Sequence, residues 1–171
     1  DVNDHLVVSG VEGDWLYAVG DVNGRALLTH QGKYQARQAG DHILGKQTAA
    51  WADNVAVPAV MFTDPQIASV GLTERQAREQ ALNVRVVEMG WAVAASSLLG
   101  KDTKGGAKFI VDEDRHVLVG VTFAGPGAGE LIHAATIAIV GEVTLDRLWH
   151  ATPAFPTMSE IWLRFLESYG L

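Results

Sequence analysis

The 171-residue sequence has no cysteine, fewer basic than acidic residues and no long hydrophobic run. Without cysteine, the chain has no disulfide, no thiolate metal site and no cysteine nucleophile of its own. Thirteen lysines and arginines face 20 acidic residues, and the basic residues are scattered, which argues against nucleic-acid or anionic-membrane partners. Glu130 and His133 interrupt the longest apolar region, so no membrane span is expected. No signal peptide is visible, and we predict a cytoplasmic location.

The composition that is present is that of a globular protein, with 48% hydrophobic residues and 18 glycines. This length allows one ordinary core, or one core with an appendage. The chain begins at Asp1, within what resembles a strand and turn, and is therefore predicted to be a piece of a longer protein. We expect two parts, residues 1–54 and residues 55–171, with the polar stretch 47–54 as the linker.

The first part is organised around one strand and one helix. Residues 15–19 (WLYAV) predict a buried strand of the parallel type, because they are apolar without alternation. Gly20 and Asp21 end this strand, Asn23 and Gly24 punctuate the chain, and a helical pattern follows from there to Leu44, with Gly45 as the C-terminal cap. Asp21 is then expected at the carboxyl end of a strand, where ligands bind in open α/β sheets. From residue types alone, a turn or helix-capping role is the competing interpretation.

The second part is predicted to mix strands and helices. Thr73 and Gln76 form a capping box, and the glycine-rich residues 125–129 predict a tight strand-to-helix connection. Residues 92–102 are predicted to be a loose connection with one helical turn. Residues 158–169 carry a continuous apolar stripe, which is typical of a core or a subunit interface. The predicted strands cover residues 57–62, 67–72, 84–91, 107–111 and 116–123, and the predicted helices cover residues 73–82, 128–140, 144–150 and 158–169.

Two kinds of candidate site in this part have simpler explanations. The histidines never occur in a metal-ligand spacing such as H-E-x-x-H, so no metal site is predicted. Thr157 and Glu160 have the spacing of a capping box, in which the Glu160 carboxylate does no more than hold the start of a helix.

Four segments resemble the pyridine nucleotide-disulfide oxidoreductase family, which includes dihydrolipoamide dehydrogenase, glutathione reductase and mercuric reductase. YAVGD with ALLTHQGKYQARQAG resembles its second flavin-binding motif, and PAVMFTDPQIASVGLTE the opening of its C-terminal interface domain. GPGAGELIHAATIAI resembles the later interface helix, and PTMSE the terminal active-site loop. These segments are collinear with the family and are spread along nearly the whole chain. The resemblance implies an α+β fold: an antiparallel sheet with flanking helices as the interface domain, preceded by a strand-helix remnant of an α/β FAD-binding domain.

The resemblance also implies which residues bind the flavin. Gly20 and Asp21 match the motif in which the aspartate binds the ribityl chain of FAD. The backbone around Ala26, Leu27 and Leu28 matches the segment that faces the pyrimidine edge of the isoalloxazine.

The terminal loop departs from the family pattern. That pattern is His-Pro-Thr-x-x-Glu, in which the histidine is the acid/base partner of a redox thiol and the glutamate orients the histidine. Here Phe155 occupies the histidine position and Glu160 the glutamate position. His150 lies five residues earlier and would need an unusual loop path to substitute for the missing histidine. Glu160 is thus the one candidate catalytic residue.

The resemblance implies a C-terminal fragment of a flavin-dependent NAD(P)H oxidoreductase. The fragment would supply part of the FAD site and the homodimer interface, with the NAD(P)H site and any redox cysteines in the missing N-terminal domains. On its own it is expected to be inactive. The alternative is a dimerisation module with no catalytic activity of its own. The electron acceptor and the choice between NADH and NADPH stay open.

Overall fold

A computed structural model describes residues 1–96 and 104–171. The chain divides into two compact units, Asp1–Val57 and Pro58–Leu171. The predicted loose connection over residues 92–102 lies partly outside the described residues.

The second unit is built on a five-stranded sheet. Its strands are β1 (Ala59–Met61), β2 (Ile67–Gly71), β3 (Val84–Gly90), β4 (Gly106–Asp112) and β5 (Val117–Ala124). Every neighbouring pair is antiparallel, and the strand order is β1-β2-β5-β4-β3. The strands predicted over residues 107–111 and 116–123 form a hairpin, β4 and β5, in which Gly106 lies opposite Ala124 and the register shifts between Ile110 and Val111.

Helices flank this sheet, which confirms the α+β class. The predicted capping box is present: Thr73 accepts a hydrogen bond from the Gln76 backbone, and the Gln76 side chain bonds back to the Thr73 backbone. The helices of this unit in the described residues are α2 (Glu74–Glu79), α3 (Ala128–Val140), α4 (Leu145–Leu148) and α5 (Glu160–Tyr169). Among the helices described, none has both the length and the apolar character needed to cross a bilayer.

Aromatic side chains form the core between α5 and the sheet. The Phe165 ring of α5 stacks on Phe109 of β4 at 4.0 Å between centroids, and Phe123 of β5 meets Phe109 edge-on at 5.5 Å. Most of the predicted stripe of α5 is therefore core and not subunit interface. The buried members of the stripe are Ile161, Phe165, Leu166 and Tyr169.

The first unit has a small core beside a single long helix, α1 (Thr29–Ile43). Leu6, Ala39 and Ala50 are buried together, with partly buried apolar and aromatic side chains around them. The stretch predicted as a linker contributes to this packing, because Ala50 is fully buried and a short 3-10 helix follows it at Trp51–Asn54.

The predicted buried strand over residues 15–19 is wrong. The segment is extended, but Tyr17 makes only an isolated antiparallel bridge with Val7, and the Trp15 side chain is 69% exposed. A strand of the parallel type is buried because neighbouring strands and helices cover it. Among the described residues, the backbone of this segment pairs only with the stretch from Leu6 to Val8: Val8 donates its N–H to the Leu16 carbonyl, and Ala18 donates its N–H to the Leu6 carbonyl.

The predicted start of the first helix is also wrong, whereas its end is confirmed. Leu28 is still extended, with φ −138° and ψ 131°, and α1 begins only at Thr29. Arg25 explains part of this later start. Its guanidinium donates to the carbonyls of Val2 and Asn3, and these contacts hold the residues before α1 against the N-terminal segment. At the other end, Gly45 has φ 79°, the left-handed conformation typical of a helix-terminating glycine.

Candidate functional site

Asp21 lies in a short 3-10 turn, Gly20–Asn23, which we call the Asp21 loop. The turn closes through a hydrogen bond from the Gly24 N–H to the Asp21 carbonyl, at 3.1 Å. The Asp21 side chain is exposed, and its carboxylate makes no hydrogen bond or ion pair with any residue that the structure describes. It is therefore available to accept hydrogen bonds from a ligand. The expected place just before a helix is not observed, because α1 begins eight residues after Asp21.

The Asp21 loop rests on the Gln35 side chain of α1. The Gly20 N–H donates to Gln35 Oε1 at 2.7 Å, and Asn23 Nδ2 donates to the same oxygen at 2.8 Å. Asn23 Nδ2 also donates to the Ala18 carbonyl at 3.0 Å, which ties the loop to the extended segment before it. The Gly20 amide is thus used within the chain. Gly20 contributes its backbone conformation, φ 72°, and not a donor to a ligand.

The segment before α1 presents the other predicted flavin-binding residues. Ala26 is buried, Leu27 is exposed, and Leu28 is the N-cap residue of α1 but makes no side-chain capping bond. The first amides of a helix have no intrahelical acceptor and carry the positive end of the helix dipole. This start of α1 can therefore donate to a carbonyl or anionic oxygen of a ligand.

Glu160 is the first residue of α5 in the second unit, and its side chain is only 6% exposed. Its Oε2 is buried and has no hydrogen-bond partner among the described residues. The predicted capping box is wrong: Ser159 is the N-cap residue, and the Thr157 hydroxyl donates to the Ala154 carbonyl at 2.6 Å. The carboxylate is thus not used to cap its helix. A buried carboxylate oxygen of this kind requires a donor.

No histidine of the terminal loop pairs with this carboxylate. Phe155 is 76% exposed and has no proton to transfer. His150 is exposed in the turn after α4, where its N–H donates to the Arg147 carbonyl. The described residues include no hydrogen bond between His150 and Glu160.

Sequence reasoning missed Gln35 and Asn23, the residues that hold the Asp21 loop. Both are common polar residues: Asn23 lies between the two quoted pieces of the flavin-binding motif, and Gln35 lies within ALLTHQGKYQARQAG at a position to which the resemblance assigned no role. One signal was present: Gln31 and Gln35 are one helical turn apart on a helix whose buried residues otherwise include only Ala39. Two glutamines on the buried face of a helix indicate that a polar partner lies opposite them.

The five-stranded antiparallel sheet with its flanking helices in the second unit, and the Asp21 motif in the first, point to one class of protein. The family model described as "Pyridine nucleotide-disulphide oxidoreductase, dimerisation domain" matches residues 57–164. The chain belongs to the pyridine nucleotide-disulphide oxidoreductase family, and the second unit contains its dimerisation domain. The resemblance read from the sequence is confirmed.

Individual relatives agree with this family. The dihydrolipoyl dehydrogenase of Geobacillus stearothermophilus is 32% identical over 152 residues, which make up 89% of this chain but only 32% of that protein. Among solved structures, the HOCl-induced flavoprotein disulfide reductase RclA from Escherichia coli superimposes with a TM-score of 0.83 at 26% identity, covering 98% of this chain and 38% of that one. LpdA from Mycobacterium tuberculosis has a TM-score of 0.87 at 22% identity, covering 99% and 36%, and shares the fold. The chain therefore spans a minor part of these relatives' length.

Proposed function

We propose that the chain is the C-terminal portion of a flavin-dependent NAD(P)H oxidoreductase, to which it supplies one edge of the FAD site and a homodimer interface. In this proposal residues 1–54 end the FAD-binding domain and residues 55–171 form the interface domain. The relatives that are named as oxidoreductases support the enzyme class, and their greater length supports further domains before this chain. The nicotinamide would bind in those domains.

The observation that carries the proposal is the free carboxylate of Asp21 beside an uncapped helix. FAD presents ribityl hydroxyls, which donate hydrogen bonds, and flavin carbonyl oxygens, which accept them. The exposed Asp21 carboxylate fits the first group, and the Leu27 backbone N–H, just before α1, fits the second, whereas the Leu28 N–H already donates to the Ala26 carbonyl at 2.9 Å. The flavin, when bound, supplies the redox chemistry. These residues of the chain would bind and orient it.

We propose that α3 supplies part of the interface between two copies. One side of this helix packs on the sheet, whereas His133, Ala134, Ile137 and Val140 are exposed along the other side. Ala134 also lines an apolar groove of about 200 Å³, together with Leu148 and Trp162. Two-fold association is the commonest way in which a homo-oligomer covers such a surface.

We further propose that the electron acceptor is one that needs no thiol acid/base group from the terminal loop, for example a quinone-like compound. A disulfide reductase must deprotonate its attacking thiol and reprotonate the leaving thiolate, which a histidine with a pKa near neutrality can do. Phe155 can do neither. Glu160 is buried, and the loop has no histidine for it to orient. In this proposal Glu160 can therefore act only through water.

The experiment compares two aspartates in the longer protein that contains this chain. Asp21→Asn removes the proposed ribityl acceptor, whereas Asp64→Asn removes a charge that is also exposed, from a turn of the second unit. We expect D21N to weaken FAD binding by about tenfold or more, the range for a hydrogen bond to a charged group, and D64N to leave it unchanged. Equal affinities in the two variants would contradict the assignment of Asp21. A protein that forms dimers but binds no flavin would favour the dimerisation-module alternative.

A further inference from the structure

A buried carboxylate lies behind the Asp21 loop, on the far side of α1's glutamines. Asp53, in the 3-10 helix Trp51–Asn54, has a side chain that is 0% exposed. Its Oδ1 accepts a hydrogen bond from Gln31 Nε2 at 2.8 Å, and its Oδ2 accepts one from Gln35 Nε2 at 2.9 Å. The guanidinium of Arg25 lies 3.7 Å from Oδ2. Both carboxylate oxygens are therefore used inside the unit, and neither is available to a ligand.

The hydrogen bond to Asp53 decides which way the Gln35 amide points. An amide has one donating and one accepting end. Because Gln35 Nε2 donates to the carboxylate, Oε1 must face the Asp21 loop, where it accepts from the Gly20 N–H and from Asn23 Nδ2. The Asp53 carboxylate thus sets the orientation of the Gln35 amide, and with it the acceptor that holds the Asp21 loop.

The loop lies directly on the helix at the same place. A Cβ atom added to Gly32 of α1 would come within 3.2 Å of the Gly20 Cα. The Gly20 backbone is therefore fixed against α1. Asp21 follows Gly20 directly, and its side chain is exposed. A change in the orientation of Gln35 would therefore move the residue that precedes Asp21.

We propose that Gln35 and Asp53 are positioning residues for flavin binding, a pair that holds the Asp21 loop without touching the ligand. The inference rests on the proposed FAD site at Asp21. It gives a role to Gln35, a residue of the flavin-binding motif with no ligand contact of its own, and to Asp53, which the sequence pattern placed in a linker.

The first test exchanges the acid and the amide in the longer protein. In Asp53→Asn, the new amide nitrogen faces either Gln31 or Gln35. Where this new nitrogen faces Gln35, the Gln35 amide must flip so that its oxygen accepts from that nitrogen. The Gln35 nitrogen then points at the Gly20 N–H, and two donors face each other. We expect FAD affinity, measured by quenching of flavin fluorescence in the flavin-free protein, to fall by about tenfold or more. The double variant D53N/Q35E restores an acceptor for Gly20 and a donor–acceptor pair between positions 35 and 53, and should recover most of that loss.

The second test compares two glutamines as a matched pair. It tests the positioning role of Gln35 even if the D53N protein does not fold. Gln31 and Gln35 are both buried and both donate to Asp53, but only Gln35 contacts the loop. Gln35→Met should weaken FAD binding by about tenfold or more, and Gln31→Met by several-fold less. Equal losses in the two variants, or no recovery in D53N/Q35E where D53N has lost affinity, would overturn the positioning role. A wild-type protein that binds no FAD would overturn the proposed function as well. If the wild type binds FAD and the variants bind it with the same affinity as the wild type, only this inference is overturned.

Discussion

At the scale of single residues, two phenylalanines near the C-terminus have opposite surroundings, and only the buried one should matter for stability. Phe165 is fully buried and stacks on Phe109, whereas Phe155 is exposed. Phe165→Ala should lower the free energy of unfolding by about 3–5 kcal/mol, because it leaves a cavity in the aromatic core. Phe155→Ala should change it by no more than about 0.5 kcal/mol. Urea unfolding of the two variants, followed by near-ultraviolet circular dichroism, measures both values, and a similar cost for each would contradict the described core.

Phe155 also carries a prediction about chemistry. If the terminal loop lacks its acid/base group, the longer protein should be a poor dihydrolipoamide or glutathione reductase. Phe155→His should then raise thiol-dependent turnover by about tenfold or more, within the range of a general acid/base catalyst. Steady-state rates with lipoamide and with a quinone, for the wild type and the variant, provide the measurement. Fast lipoamide turnover by the wild type, with no gain in F155H, would refute this account of the loop.

The role of a single residue could be predicted where a sequence motif contains it. It could not be predicted where the role depends on contacts that only the folded chain brings together. Asp21 was found from its motif, and the structure leaves its carboxylate exposed, although its role in FAD binding is still a prediction. The spacing of Thr157 and Glu160 suggested a capping box, but the Thr157 hydroxyl instead bonds the Ala154 carbonyl. Asp53 was predicted to lie in a polar linker. Its two glutamine partners on α1 are 18 and 22 residues earlier in the chain, so only the fold reveals that they donate to its carboxylate.

At the scale of secondary-structure elements, α2 is joined to the sheet by a charged contact that should respond to pH. Lys108 Nζ of β4 lies 2.8 Å from Glu74 and 2.9 Å from Glu88 of β3. The hydrogen bond from Lys108 lowers the pKa of the Glu74 carboxyl below its ordinary value of 4.5, and the same contact raises the pKa of Lys108. A lowered carboxyl pKa contributes stability above the unfolded-state pKa, and that contribution is lost as pH falls through the folded-state pKa.

Glu74→Gln should therefore lower the thermal midpoint slightly at pH 7, and the difference from the wild type should shrink as the pH is reduced below 4.5. Glu79→Gln is the control, because the one ion pair that Glu79 makes with a described residue is with the exposed Arg75 of the same helix, at 3.5 Å. Its midpoint should follow the wild type at every pH. A Glu74→Gln difference that grows toward low pH would contradict the sign of this prediction. Calorimetry between pH 3 and pH 7, on all three proteins, gives the comparison.

Elements with strong local signals were predicted well, and those that depend on neighbours were not. The apolar helix predicted over residues 128–140 has the same bounds in the structure, and the Thr73 capping box starts α2 as predicted. By contrast, residues 15–19 have the composition of a buried strand, but the described residues offer them no flanking sheet. The start of α1 was missed because Arg25 is held by backbone carbonyls more than 20 residues earlier in the chain, a contact that no local pattern contains.

At the scale of the whole molecule, the exposed side of α3 should control assembly. Ile137 of α3 and Met61 of β1 are exposed to the same degree, 57% and 56%. Ile137→Glu places a charge in the proposed interface and should convert the dimer to a monomer at micromolar concentration, because an unpaired charge is costly to bury. Met61→Glu adds the same charge outside that surface and should leave the dimer intact. Sedimentation velocity of the two variants distinguishes them, and a dimer that survives in I137E would remove α3 from the interface.

The most direct test of the proposed enzyme measures flavin content and mass together. The longer protein should elute from a sizing column as a single species, with light scattering giving the mass of two chains and visible absorption giving one FAD for each chain. The 171-residue chain alone should give a dimer without FAD, because it holds only one edge of the site. A monomeric longer protein, or a dimer that binds no FAD after reconstitution, would contradict the account.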